Sequence, residues 1–187
     1  MTAPGVVGLG EGERRALLDL ARRTVRDLTL TGRSTDAGPP PPGLHILGGA
    51  FVTLKIAGEL RGCIGTFDTT RSLWNTVHAM AEAAAARDPR FDPVNASELD
   101  GITIEISALS PPRPVTGPDE IEVGRHGIEI SRGRYRGVLL PQVATEHDLD
   151  RETFLAEACR KAQLPSDAWR LPDTSIRVFE ADVFGDR

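Results

Sequence analysis

Cysteine is scarce in this chain of 187 residues: Cys63 and Cys159 lie far apart and in unrelated patterns. No Cys-x-x-Cys pair occurs, and His45, His78, His126 and His147 are scattered. Those absences argue against a structural zinc site, and no metal or cofactor is expected. Aromatic residues make up 5% of the chain, so the core must come mostly from Leu, Ile, Val and Ala. No run approaches the ~18 apolar residues of a membrane span. Residues 1–10 carry neither the basic nor the apolar region of a secretory signal. A cytoplasmic, reducing location is the default expectation. A basic excess is missing too. The net charge is −5 and the pI about 5.4, whereas tracking nucleic-acid phosphates calls for a basic field. Nucleic acid is therefore disfavoured as a partner. There is also no phosphate-binding loop and no clear acid–base pair.

What remains is ordinary for a globular protein: 40% hydrophobic and 26% charged residues. The length allows one domain, or two merged lobes. Leu17, Ala21, Val25 and Leu28 recur at helical spacing, which predicts an amphipathic helix over 11–30. Residues 31–43, with Gly38 and Pro39 to Pro42, read as a surface connector, mobile or polyproline-like. Alternating apolar residues predict a strand over 50–56, a turn at Ala57-Gly58 and a partner strand over 59–67. Ser72 is placed to cap a helix that Asp88-Pro89 ends. A short helical turn over 95–99 and a strand over 102–109 follow. The second half repeats this order: a hairpin over 127–140 around Arg132-Gly133, a helix capped by Asp150, and a strand over 175–184.

A shift of 75 residues places Gly58 on Gly133 and Arg61-Gly62 on Arg136-Gly137. The expectation is therefore an α+β fold in one domain spanning 1–187. Two duplicated hairpin–helix–strand units, at about 44–110 and 121–184, would share one barrel-like, mostly antiparallel sheet with flanking helices.

With two-residue turns, Leu54 faces Arg61, Val52 faces Cys63 and Glu129 faces Arg136. Arg136 then has a counter-charge, while Arg61 has none beside it. A buried guanidinium needs a partner. Glu105, backbone carbonyls or an anionic ligand are the candidates. A nearby Arg would also favour the reactive thiolate of Cys63, and Gly62 and Gly65 would leave room for a substrate. The register is open, because a one-residue bulge at Gly62 would turn Cys63 to the other face. Cys159, on an apolar helix face, reads as a packing residue. His78 reads as a surface or core histidine.

The segment Leu60-Arg61-Gly62-Cys63-Ile64-Gly65-Thr66-Phe67 resembles the hallmark of the AMMECR domain family, whose prokaryotic members are called AmmeMemoRadiSam system protein A. Asp88-Pro89-Arg90-Phe91, Ile104-Glu105-Ile106-Ser107, Leu109 to Pro112 and Leu140-Pro141-Gln142-Val143-Ala144 also match, as do Thr153 to Ala162 and Ala168-Trp169. The resemblance covers about residues 11–184. It implies a two-repeat α+β fold, no established activity, and association with a Memo-like protein and a radical SAM protein. Members often carry Asp-Gly where this chain has His126-Gly127, and a better helix cap than Gly10 or Gly12. Both departures were expected to concern turns and caps.

Two functions follow. In the first, the chain binds an anionic small molecule or a partner protein through Arg61, Gly62, Gly65, Arg90, Glu105 and Gln142, with Cys63 lining the pocket. In the second, Cys63 is the nucleophile or redox group of a thiol-dependent enzyme and Arg61 anchors the anion.

Overall fold

The computed structural model describes residues 8–186, so most of the N-terminal stretch read above for a leader lies outside the described residues. The fold is α+β, with antiparallel strand pairs and helices packed on them. The chain divides into two compact units. Unit 1 runs to Ser110 and resumes at Asp182; unit 2 is Pro111–Ala181.

Unit 1 opens with α1 (Glu11–Thr31). Gly10 supplies no capping side chain; instead the Glu13 carboxylate accepts its amide at 2.8 Å. The strands β1 (Gly49–Ile56), β2 (Glu59–Thr66) and β3 (Ile102–Leu109) hydrogen-bond in the order β2-β1-β3. α2 (Leu73–Ala86) begins at Ser72, whose hydroxyl accepts from the Asn75 amide at 3.3 Å. One face of the three strands, carrying Val52, Leu54, Ile104 and Ile106, packs with Leu17, Leu20 and Val25 of α1 and Leu73 and Val77 of α2. Each such side chain contributes about 1.5–3 kcal/mol by leaving water.

Unit 2 contains β4 (Arg113–Pro114), β5 (His126–Arg132), β6 (Tyr135–Leu139), α3 (Pro141–Glu146), α4 (Arg151–Lys161) and most of β7 (Ser175–Gly185). Here β5 lies between β6 and β7, and β4 pairs with β7. Ile128, Ile130, Leu139 and Val178 pack with Phe154, Leu155, Ala158 and Cys159 of α4. Cys159 is fully buried, and burial pushes its thiol pKa up, as befits a packing residue.

The structure corrects several expectations. In the first hairpin, Ala57 (φ 51) and Gly58 (φ 86) form the turn as expected. Ile56 then faces Glu59 and Lys55 faces Leu60, but Leu54 faces Gly62: the ladder slips by one residue at Arg61. Cys63 therefore pairs with Thr53, not Val52. In the second hairpin the turn is Gly133-Arg134 rather than Arg132-Gly133, because Gly133 takes the positive φ of 58°. Glu129 thus faces Val138. A two-residue shift preserves the face, so Arg136 still donates to Glu129 diagonally, at 2.6 Å.

Residues 32–43 carry no helix or strand and are tethered to α2 at two points. The Trp74 indole N–H donates to the Ala37 carbonyl at 3.0 Å, and the His78 ring bonds the Thr35 carbonyl at 2.8 Å. His126 lies within β5 rather than in a turn, buried, with Nδ1 accepting the Glu122 amide at 3.0 Å. α3 escaped the sequence reading because six residues are too few to show a helical period.

Gly62 and Gly137 occupy matching places. A Cβ on Gly62 would lie 2.4 Å from the Ala84 carbonyl oxygen of α2, and one on Gly137 2.5 Å from that of Ala158 in α4. Gly62→Ala should therefore lower unfolding free energy by about 1–3 kcal/mol in urea titration. Gly12→Ala, which meets nothing within 4 Å, should not. Burial, followed by the Arg113 charge, lowers the His126 pKa below its ordinary value. The unfolded chain then binds the proton more readily, so the His126 contribution is complete above pH ~6.5 and declines as pH falls toward the folded value. Replacing His126 with Asn should flatten the loss of stability between pH ~6.5 and 5, measured by thermal unfolding against pH.

Candidate functional site

The hallmark segment forms β2, the end strand of unit 1 in the order β2-β1-β3. Its alternate residues have different duties. Gly62 faces Leu54 and the backbone of α2, where a Cβ would meet the Ala84 carbonyl. Gly65 faces Phe51, whose ring atoms stand 2.2 Å from where a Cβ would be. That ring also packs edge-on against Phe67 with centroids 5.1 Å apart. Both glycines therefore allow a close packing contact on the side where a Cβ would stand.

Cys63 lies on the face opposite Gly62, half-buried. Thr53 is paired with Cys63 on one side and with Glu105 on the other. Cross-strand partners share a face, so thiol, hydroxyl and carboxylate stand in one row. The Thr53 hydroxyl donates to the Cys63 sulfur at 3.3 Å. Lys55, two residues along and on the same face, binds Glu105 at 3.0 Å. Glu105 therefore neutralises Lys55 rather than Arg61.

The outer edge of β2 is held by side chains. The Cys63 amide donates to Asp88 Oδ2 at 2.8 Å, and the Cys63 carbonyl accepts from Arg90 Nη2 at 3.2 Å. Arg90 in turn grips Asp88 through Nε at 2.9 Å and Nη2 at 2.7 Å, while its own amide donates to Oδ1 at 3.1 Å. Asp88 is buried. The Arg90 guanidinium, aided by the Cys63 and Arg90 amides, holds its carboxyl far below the usual range despite burial. A single Asp-Pro-Arg turn thus replaces the neighbouring strand that an edge would otherwise recruit.

Arg61, displaced by the bulge, has its own carboxylate. Nε meets Glu98 Oε1 at 2.6 Å and Nη2 meets Oε2 at 3.0 Å, with the Pro93 carbonyl at 3.4 Å from Nη2. That fork raises the Arg61 pKa and lowers that of Glu98. Glu98 also accepts the Asn95 amide at 2.9 Å, so it belongs to the 3₁₀ turn Ala96–Gly101. Of the partners expected for Arg61 a backbone carbonyl is present, that of Pro93, but the carboxylate is Glu98 rather than Glu105, brought there by the bulge and that turn. The Arg61 and Arg90 guanidinia lie 5.9 and 5.5 Å from the Phe91 ring centroid.

Unit 1 therefore gathers Arg61, Cys63, Arg90 and Glu105 around β2, with Thr53, Lys55, Asp88, Phe91 and Glu98 added. Gln142 belongs to α3 of unit 2, where its side-chain oxygen is buried without a hydrogen-bond partner. Asp88 stood in the matching Asp88–Phe91 segment, and its signal was the Asp-x-Arg spacing of a side-chain-closed turn. Glu98 carried only the Asn95-x-x-Glu98 spacing of a capped turn, which says nothing of its pairing with Arg61. Among the described residues no group of three or more His, Cys, Asp or Glu is placed to hold a metal, and no helix is long and apolar enough to cross a membrane.

Asp88→Ala should leave the Cys63 and Arg90 amides without acceptors and cost about 1–3 kcal/mol in urea unfolding at neutral pH. The native carboxyl titrates below its unfolded value, so its contribution is complete above pH ~4 and is lost as pH falls further. The gap between wild type and variant should narrow below pH ~4.

The profile of the AMMECR1 family matches residues 18–184. A Thermococcus gammatolerans protein is 42% identical over 181 residues, covering 90% of this chain and 87% of its own. Protein MK0488 of Methanopyrus kandleri is 44% identical over 185 residues, covering 94% of this chain and 88% of its own. The crystal structure of the uncharacterized protein PH0010 from Pyrococcus horikoshii superposes with a TM-score of 0.84 at 37% identity, over 96% of this chain and 94% of that one. With its hallmark strand clamped as described and the match running nearly end to end, the chain belongs to the AMMECR1 family.

Proposed function

We propose that this chain is a cytoplasmic binding protein that acts with Memo-like and radical SAM proteins, using β2 and the Asp88–Arg90 turn to recognise an anionic group on a small molecule or partner. The observation that carries this reading is the state of Arg90. Its Nε and Nη2 are fixed on the fully covered Asp88, yet 53% of its side chain stays exposed. A guanidinium held in place from one side presents its remaining edge at low entropic cost. Arg61, by contrast, is engaged by Glu98 on its Nε and Nη2, so it supports the Phe91 stack rather than leading recognition. The two units, with their matching glycine–helix contacts, fit the reading of one duplicated hairpin–helix–strand element.

Affinity capture from a host that encodes both expected partners tests this reading, together with native mass spectrometry of the purified chain. Recovery of a partner or a bound anion, lost in Arg90→Gln, is the expected result. Recovery of neither, or equal recovery with the variant, would sink it.

A second reading rests on the Thr53 hydroxyl donating to the Cys63 sulfur. That contact orients the sulfur, and Cys63 is the nucleophile or redox group if the chain is an enzyme. Alkylation followed against pH, with buried Cys159 as the internal control, separates the two. Labelling of Cys63 with an apparent pKa well below ~8.5 favours thiol chemistry. Labelling no faster than at Cys159 leaves Cys63 as a packing residue.

A further inference from the structure

The face of unit 2 turned away from α4 repeats the layout of the Cys63 face with different chemistry. Glu129 on β5 stands opposite Val138 of β6 and Arg177 of β7. In the adjacent row on the same face, Ser131 stands between Arg136 and Ser175. Where unit 1 has thiol, hydroxyl and carboxylate, unit 2 has a buried carboxylate flanked by two guanidinia and two hydroxyls.

Two guanidinia converge on one carboxylate. Glu129 is buried, with 7% of its side chain exposed. Arg136 Nη2 donates to one of its oxygens at 2.6 Å, and Arg177 Nη1 approaches the other at 3.9 Å. Arg177 Nη2 also donates to the Pro112 carbonyl at 2.9 Å, which fixes that side chain in place. Around β2, by comparison, Lys55, Arg61 and Arg90 each have a carboxylate of their own. In unit 2 the ion-paired arginines Arg132 and Arg151 likewise do not share theirs. Among the described residues, Glu129 is the one carboxylate that both Arg136 and Arg177 approach.

Both arginines keep about half of their side chains exposed, 53% and 43%. Ser131 and Ser175 add hydroxyl donors in the neighbouring row. Two guanidinia gathered at one buried carboxylate, one bonded to it and the other tied to the Pro112 carbonyl, with hydroxyls in the next row, suit the oxygens of a phosphate or carboxylate. The carboxylate keeps the guanidinia from collapsing away and from repelling each other when empty.

We propose that Ser131, Arg136, Ser175 and Arg177, organised by Glu129, form an oxyanion site in unit 2 for a phosphate- or carboxylate-bearing small molecule. Glu129 acts as the positioning residue and does not touch the anion. All five of its residues belong to unit 2.

The test is a titration of the full chain with inorganic phosphate and, separately, with succinate, followed by amide chemical shifts. Shifts centred on residues 129–137 and 174–178 are expected, with the tighter of the two probes identifying the anion class. Arg177→Gln should weaken that binding at least about tenfold, the loss of a charge-assisted fork. Glu129→Gln should strengthen it, because the internal competitor for the guanidinia becomes neutral; a purely structural role for Glu129 would not produce that gain. If Arg177→Gln loses the native spectrum, the more exposed Arg136→Gln is read by the same criterion. Shifts confined to residues 60–91, no binding of either probe, or binding indifferent to both arginine substitutions would overturn the proposal.

Discussion

The Asp88 carboxylate is the interaction on which the hallmark strand depends. An end strand exposes a row of amides and carbonyls that invite another chain. Here one buried carboxylate takes the Cys63 amide and one guanidinium takes the Cys63 carbonyl. The same two side chains close their own turn. Burying a carboxylate is costly unless it is paired and hydrogen-bonded, and Asp88 accepts from two amides and from two nitrogens of Arg90. That arrangement sets the place of Arg90 and, through it, which part of the guanidinium faces outward.

A second constraint acts on the face that carries Gly62. Gly62 brings β2 onto the Ala84 carbonyl, and Gly137 brings β6 onto that of Ala158. A side chain at either position would push strand and helix apart. The strand is thus held inward by a missing Cβ and outward by a buried carboxylate. Cys63, between them, is fixed in register with Thr53 and Glu105.

Much of this was legible in the sequence. Helical and alternating periods located α1, α2, α4 and the principal strands, and Ser72 and Asp150 cap α2 and α4 as their positions suggested. The parallel between the hairpins was visible in Arg61-Gly62 and Arg136-Gly137. What stayed hidden was set by contacts distant in sequence. Arg61 looked unpaired because Glu98 is 37 residues away, on a turn whose approach no local pattern encodes. The one-residue bulge weighed at Gly62 is present at Arg61-Gly62, and it turns Cys63 to the face of Thr53 as that alternative implied. The loop over 31–43 looked free by composition, yet Trp74 and His78 bind its backbone carbonyls. In unit 2 the sharing of Glu129 by two arginines could not be read either, since Arg177 arrives from β7, 48 residues on from Glu129.

The central claim is that the Asp88–Arg90 turn substitutes for a neighbouring strand at the edge of β2. Native-state hydrogen exchange of the Cys63 amide measures this most directly, since an uncapped edge amide exchanges through local fraying whereas a bonded one needs a larger opening. The account predicts strong protection of the Cys63 amide in the wild-type chain and its selective loss in Asp88→Ala, with the interior amides of β1 unchanged. Fast exchange at Cys63 in the wild-type chain, or protection that survives the removal of Asp88, would contradict it.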